Sequence, residues 1–186
     1  MVDKIDLVVP YVDSADKNWQ ELFNKYNPDK ELYREETNAP NRFRSSGDLF
    51  RYWFRAVAYN LPWIHKIHLI VQSESQIPCW INRETVHVVT HDEIIPEEFL
   101  PTFNSTTIEM FLWKIPDLSE KFIYANDDFY VMKKLKKEDF FKDEKVCNNS
   151  IRSSVGSGMY TTHCVNGYCL INELDKKQYI ETNTHV

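Results

Sequence analysis

The chain has 186 residues, 42% hydrophobic and 14% aromatic, with a formal net charge of −6, a length that suits one domain with a full core and makes a second complete one unexpected. The acidic balance argues against a nucleic-acid binder, whose affinity rests on excess Lys and Arg. No apolar run approaches the roughly 20 residues needed to cross a bilayer, and no basic leader precedes the short apolar stretch at Ile5, so the expected location is the cytoplasm.

Ile5 to Val12 is a nearly unbroken apolar run rich in β-branched residues, the pattern of a strand buried on both faces. Asp13-Ser14-Ala15-Asp16 ends it. A helix is predicted from Lys17 to Tyr26, with Trp19, Leu22 and Phe23 on one side and Asp16 placed as N-cap. Asn27 to Asn41, bracketed by Pro28 and Pro40, reads as a loop. Gly47 to Asn60 is predicted helical because Phe50, Trp53, Phe54 and Val57 repeat at the spacing of a buried stripe. Pro62 blocks its continuation.

Two further strands are predicted, Lys66 to Gln72 and Val86 to Thr90, then a helix from Asn104 to Ile115 carrying Ile108, Phe111, Leu112 and Ile115. Phe122 to Ala125 reads as a fourth strand, Asn126-Asp127-Asp128 as an acidic turn, and Phe129 to Met132 as a short extended run. Alternating strands and helices imply an α/β fold with a mostly parallel, Rossmann-like sheet. The pattern weakens beyond Lys142, dividing the chain into a core, 1–142, and a variable spacer, 143–186. Cys79, Cys147, Cys164 and Cys169 lack the spacing of a zinc site and read as free thiols.

Four groups of residues have chemical potential. Asp127 and Asp128 follow a strand, at the sheet edge where open α/β folds place ligands. Adjacent carboxylates repel, and Mg²⁺ commonly uses one or two of them together with substrate phosphates; a solvated Asx turn would give the same sequence. Asp13 and Asp16 follow the first strand and would share that edge, unless they only cap the next helix. Arg42, Arg44, Arg51, Arg55 and Lys66 form a basic island against a single acid, Asp48, suited to phosphate oxygens or equally to a solvated helix face. Thr106-x-x-Glu109 fits a capping box, and a helix start is also an anion site. His65, His68, His87 and His91 lack metal-ligand spacing, and most read as structural.

In this order the pieces IDLVVPYVDSAD (5–16), RFRSSGDLFRYWFRAV from Arg42, LPWIHKIHLIV, HDEIIP, LPTFNSTTIE and FIYANDD resemble the Stealth family of sugar-phosphate transferases. That family includes capsular polysaccharide phosphotransferases and N-acetylglucosamine-1-phosphotransferase. Two departures accompany the match: Ser14-Ala15 replaces a glycine of the first block, and Thr184-His185-Val186 stands where a third block would open. The resemblance implies a GT-A-like nucleotide-sugar fold and transfer of a hexose 1-phosphate from a UDP-sugar to a glycan hydroxyl, with release of UMP. It further implies Mg²⁺ or Mn²⁺ at Asp127, Asp128 and Asp16, and phosphate contacts from Arg42, Arg44, Arg51 and Arg55. Asn104 and Asp13 would touch the donor, Asp128 and Arg152 would serve the reaction, and His185 would be the general base. Two alternatives share these features: a glycosyltransferase that releases UDP, and a binding module without turnover. The implied partners are the donor and the glycan, with peripheral association to a membrane assembly system.

Overall fold

The structure, a computed structural model, describes residues 4–26, 49–143 and 145–147. The chain divides into two compact units, Met1–Glu144 and Lys145–Val186, and the fold described here is that of the first.

Strands β1 (Ile5–Pro10), β2 (Ile67–Val71), β3 (Val86–Thr90) and β4 (Lys121–Tyr124) form one sheet in the order β3-β2-β1-β4, with every neighbouring pair parallel. All four therefore present their C-terminal ends at one edge. The chain steps outward from β1 to β2 to β3, then returns to the far side of β1 to lay down β4. The gap between β1 and β4 is thus a topological switch point, the place where open parallel sheets leave a crevice.

The strands obey a two-residue period, and each face of the sheet gathers its own core. Leu7, Val9, Leu69 and Val71 pack against Phe50, Trp53 and Val57 of helix α2 (Leu49–Asn60). Val8, Ile70 and Val89 face the other way. They pack with Ile94 of the short helix α3 (His91–Ile94) and with Leu112 and Ile115, and Ile108 of α4 (Ser105–Met110) joins from the margin. Burial on both sides explains why β1 is apolar but for Asp6, with Ile5–Val9 all buried. Fully burying one such side chain contributes about 1.5–3 kcal/mol.

Helix α1 (Lys17–Tyr26) begins as expected at Asp16, whose Oδ1 accepts from the Trp19 N–H at 2.9 Å. Two expectations are corrected. The helix from Asn104 ends at Met110; Phe111 leaves helical geometry (φ −108°, ψ 2°), and a 3₁₀ turn, Leu112–Lys114, follows. Pro116 holds Ile115 in extended backbone (φ −57°, ψ 124°), which ends that turn and allows no helix beyond it. Phe129–Met132 forms no strand. It is tied instead to α2, through the Tyr130 hydroxyl donating to the Leu49 carbonyl and the Asn60 amide donating to the Val131 carbonyl.

The expected loop at 27–41 lies outside the described residues. Among the described residues, no helix is long and apolar enough to cross a membrane.

Candidate active site at the switch point

A cleft of about 180 Å³ opens at the switch point. Its floor is the end of β1, Pro10 to Val12; Tyr124, Asn126 and Asp127 wall it from the β4 side. The ladder continues past the strand ends here, since the Ala125 N–H donates to the Val8 carbonyl at 3.0 Å and the Tyr11 N–H to the Ile70 carbonyl at 2.9 Å. Both walls are therefore held by backbone hydrogen bonds and not by loop packing alone.

The acidic turn is anchored from three directions. Phe129 N–H closes it by donating to the Asn126 carbonyl at 3.2 Å. From α2, the buried Trp53 indole N–H donates to that same carbonyl at 3.1 Å. The Tyr124 hydroxyl lies 2.8 Å from Asn126 Oδ1 and 2.9 Å from Glu109 Oε1. Burial, reinforced by Glu109, Asp127 and Asp128, pushes the Tyr124 hydroxyl far above its ordinary range, so it stays protonated.

Asp127 is the most perturbed carboxyl at this edge. Burial, with the neighbouring Asp128 adding repulsion, raises it to about 6. A desolvated carboxylate beside a second, exposed one suits a divalent cation, which would relieve both penalties. Two protein carboxylates are the share that Mg²⁺ usually takes when phosphates complete its shell.

The other expected site residues fall elsewhere. Among the described residues no three His, Cys, Asp or Glu side chains come together as a metal cluster, so the set of Asp16 with Asp127 and Asp128 is not assembled. Asp16 is occupied in capping. Burial works against its charge, but hydrogen bonds from Ser75, the Trp19 and Asn18 N–H groups and Gln76 outweigh it and hold the carboxyl below its usual value. Asp13 turns its carboxylate back on the Ala15 N–H at 2.9 Å, outside the cleft lining. Asn104 is the N-cap of α4, accepting from the Thr106 N–H at 2.9 Å. Glu109, expected to cap that helix, meets Tyr124 instead.

Arg51 and Arg55 lie on the exposed face of α2, their guanidinium carbons 5.5 Å from the Trp80 ring and 5.3 Å from the Tyr52 ring. Neither lines the cleft. Arg42, Arg44, Arg152 and His185 lie outside the described residues.

Three side chains that sequence patterns did not single out shape this edge. Gln76, buried beyond β2, accepts from the Asp13 N–H at 2.6 Å and donates to the Asp13 carbonyl at 3.1 Å, clamping the β1–α1 turn. Gln72 and His91 line the cleft from the ends of β2 and β3. His68 does prove structural, between Asp6 and His87.

Residues 42–149 match the family model for Stealth protein CR2, conserved region 2. The chain is 41% identical over 148 residues to the exopolysaccharide phosphotransferase cps2G of Lactiplantibacillus plantarum, covering 78% of this chain and 42% of that protein. It is 34% identical over 187 residues to the capsular polysaccharide phosphotransferase WcwK of Streptococcus pneumoniae, covering 98% of this chain and 55% of that protein. With the capsular polysaccharide phosphotransferase fcs1 of Haemophilus influenzae the identity is 43% over 140 residues, covering 74% and 38%. The chain thus spans about half, or less, of the length of these curated relatives.

Proposed function

Because the chain belongs to the Stealth family, we propose that it carries the donor-binding half of a sugar-phosphate transferase acting in capsular or exopolysaccharide synthesis. In this reading a hexose 1-phosphate, for example N-acetylglucosamine 1-phosphate, passes from a UDP-sugar to a hydroxyl of a glycan acceptor. The supporting observation is the desolvated Asp127, beside the exposed Asp128, at the β1/β4 switch point. The names of the relatives, capsular and exopolysaccharide phosphotransferases, supply the reaction class.

The acceptor oxygen forms a bond to the β-phosphorus, and the bond from that phosphorus to the bridging oxygen breaks. UMP departs with the electron pair, and the hydroxyl proton passes to a base. On the family resemblance, His185 is assigned as that base, Arg152 as a further catalytic residue, and Arg42 and Arg44 as phosphate-side cations. Arg51 and Arg55 are left out, since each guanidinium lies over an aromatic ring and outside the cleft lining.

Mg²⁺ or Mn²⁺ held by Asp127 and Asp128 would supply charge neutralisation at the diphosphate. Trp53, Tyr124 and the turn hydrogen bonds keep those two carboxylates in place, which suits chemistry that depends on positioning and charge. In the same reading the protein works in the cytoplasm, at the inner face of the plasma membrane.

The test is the nucleotide product formed from UDP-N-acetylglucosamine with Mg²⁺ and a glycan acceptor. UMP is expected, whereas UDP would assign glycosyl transfer and overturn the proposal. A calorimetric titration of the UDP-sugar supports the site if binding requires Mg²⁺ and counts against it if binding is unchanged by chelator.

A further inference from the structure

Gln72 leaves β2 and His91 leaves β3, neighbouring parallel strands, at the edge that carries the acidic turn. The Gln72 Nε2 and the His91 Nδ1 are both buried and lack hydrogen-bond partners, and they are the two side-chain atoms of that kind among the described residues. His91 is only 6% exposed. It opens α3, where the Glu93 carboxylate fixes the preceding Thr90 by accepting from its N–H at 2.7 Å and its hydroxyl at 3.0 Å. A buried, unsatisfied polar atom costs about 1–3 kcal/mol. Two of them on residues lining one cleft mark a place where something else completes the hydrogen bonding.

We infer that Gln72 and His91 bind the uncharged polar edge of a pyrimidine base, the base of the nucleotide donor. The inference rests on the nucleotide-donor reading given above. A phosphate is the wrong ligand for this pair: burial holds the imidazole down at about 4, so the ring is neutral at physiological pH, and Gln72 carries no charge.

One amide donor next to one ring nitrogen matches a carbonyl beside a ring N–H. Gln72 donates to the carbonyl, and His91 Nδ1, with the ring proton on Nε2, accepts from the N–H. Uracil presents that edge; cytosine presents the reverse. The cleft also offers flat apolar walls, Tyr11, Trp19 and Phe103. From β2 to β4 is two strand spacings, about 10 Å. A nucleotide bound base-first at Gln72 and His91 would therefore extend its phosphates across β1 toward Asp127.

The experiment is calorimetry on the whole chain with UMP, CMP and ribose 5-phosphate, using wild type, Gln72→Met and His91→Leu. Each substitution is expected to weaken UMP binding about 10- to 100-fold and to leave ribose 5-phosphate binding unchanged. The thermal midpoint should hold or rise, because each change removes an unsatisfied atom from the interior. Wild type should prefer UMP to CMP.

Equal losses for UMP and ribose 5-phosphate, unchanged UMP affinity, absence of UMP binding to wild type, or collapse of both variants' thermal midpoints would each overturn the inference. Binding of free N-acetylglucosamine that both variants abolish would assign the pair to sugar hydroxyls instead, and overturn it as well. The two readings fail separately: base-dependent UMP binding together with UDP as reaction product leaves the base subsite standing while phosphotransfer falls.

Discussion

The Nδ1 atoms of His68 and His87 lie 2.9 Å apart, one strand from each other at the base of the sheet. Asp6, fully buried, fixes which of them carries the proton. Its Oδ2 accepts from His68 Nε2 at 3.1 Å, so a neutral His68 offers a bare Nδ1, and His87 must be the donor. Asp6 also accepts from the Ser119 N–H at 2.8 Å and from His65 at 2.9 Å, tying β1, the β2 approach and the β4 approach together.

This network predicts acid sensitivity. Burial pushes the Asp6 carboxyl up, but the hydrogen bonds from Ser119, His65 and His68 outweigh it and hold the carboxyl at about 2. Burial keeps His68 below its ordinary value, against the pull of Asp6, and takes His91 to about 4. For all three groups the unfolded chain binds protons more readily, so their contribution is complete above the unfolded values and is lost as pH falls through the folded ones. Urea midpoints should therefore drop from pH 7.5 to pH 5 through the histidines, and again below pH 4 through Asp6. Asp6→Ala should cost roughly 3 kcal/mol at pH 7.5. In an Asp127→Asn background, which removes the opposing titration of that carboxyl, a midpoint that is flat from pH 7.5 to 5 would contradict this account.

Asp127 predicts the opposite sign. Its folded value, about 6, stands above the ordinary carboxylate value of 3.8, so without metal the protein loses stability as pH rises between the two. With chelator present, Asp127→Asn should stabilise the fold at pH 7.5 by on the order of 2 kcal/mol, and the gain should vanish near pH 4. If Asp127 and Asp128 hold Mg²⁺, the cation should raise the wild-type thermal midpoint and leave that of Asp127→Asn unmoved.

Trp53 connects the core to the site. Trp53→Phe keeps most of the buried ring but removes the donor to the Asn126 carbonyl. It should cost about 1–3 kcal/mol in chemical denaturation and weaken Mg²⁺-dependent binding of the donor. Trp53→Ala should cost about 3–5 kcal/mol. Full donor affinity in a folded Trp53→Phe would show that the turn does not need this anchor.

Gln76→Ala should release the β1–α1 turn, because both hydrogen bonds to the Asp13 backbone disappear. The expected loss is about 2 kcal/mol. Amide exchange at Asp13 and Ala15 should speed up well before that of β1 itself, and uniform exchange across the region would refute the clamp.

Much of this fold was legible from periodicity. The two-sided burial of β1, the extent of α1 from Lys17 to Tyr26 and the span of β3 follow from apolar spacing and a capping aspartate. The early end of α4 was not legible, because the apolar spacing of Ile108, Phe111, Leu112 and Ile115 hid it. That spacing serves a short helix followed by a 3₁₀ turn as well as it serves one continuous helix. Within the site, Asp127 and Asp128 were readable as adjacent acids after a strand. The separation of Asp16 from them was not, since two residues leaving the same sheet edge can still point their side chains at different partners. Gln72, Gln76 and His91 gave no signal because their importance lies in burial and in missing or reciprocal partners, which only the assembled edge creates.

The return of the chain from β3 to the far side of β1 also has a consequence for synthesis. Until Lys121–Tyr124 has emerged and docked, β1 offers a bare row of backbone donors and acceptors, flanked by the apolar side chains of Ile5, Leu7, Val8 and Val9. Such an open strand is a template for pairing with other molecules. Nascent chains or proteolytic pieces lacking the fourth strand should accumulate as insoluble material, and those that include it should stay in solution.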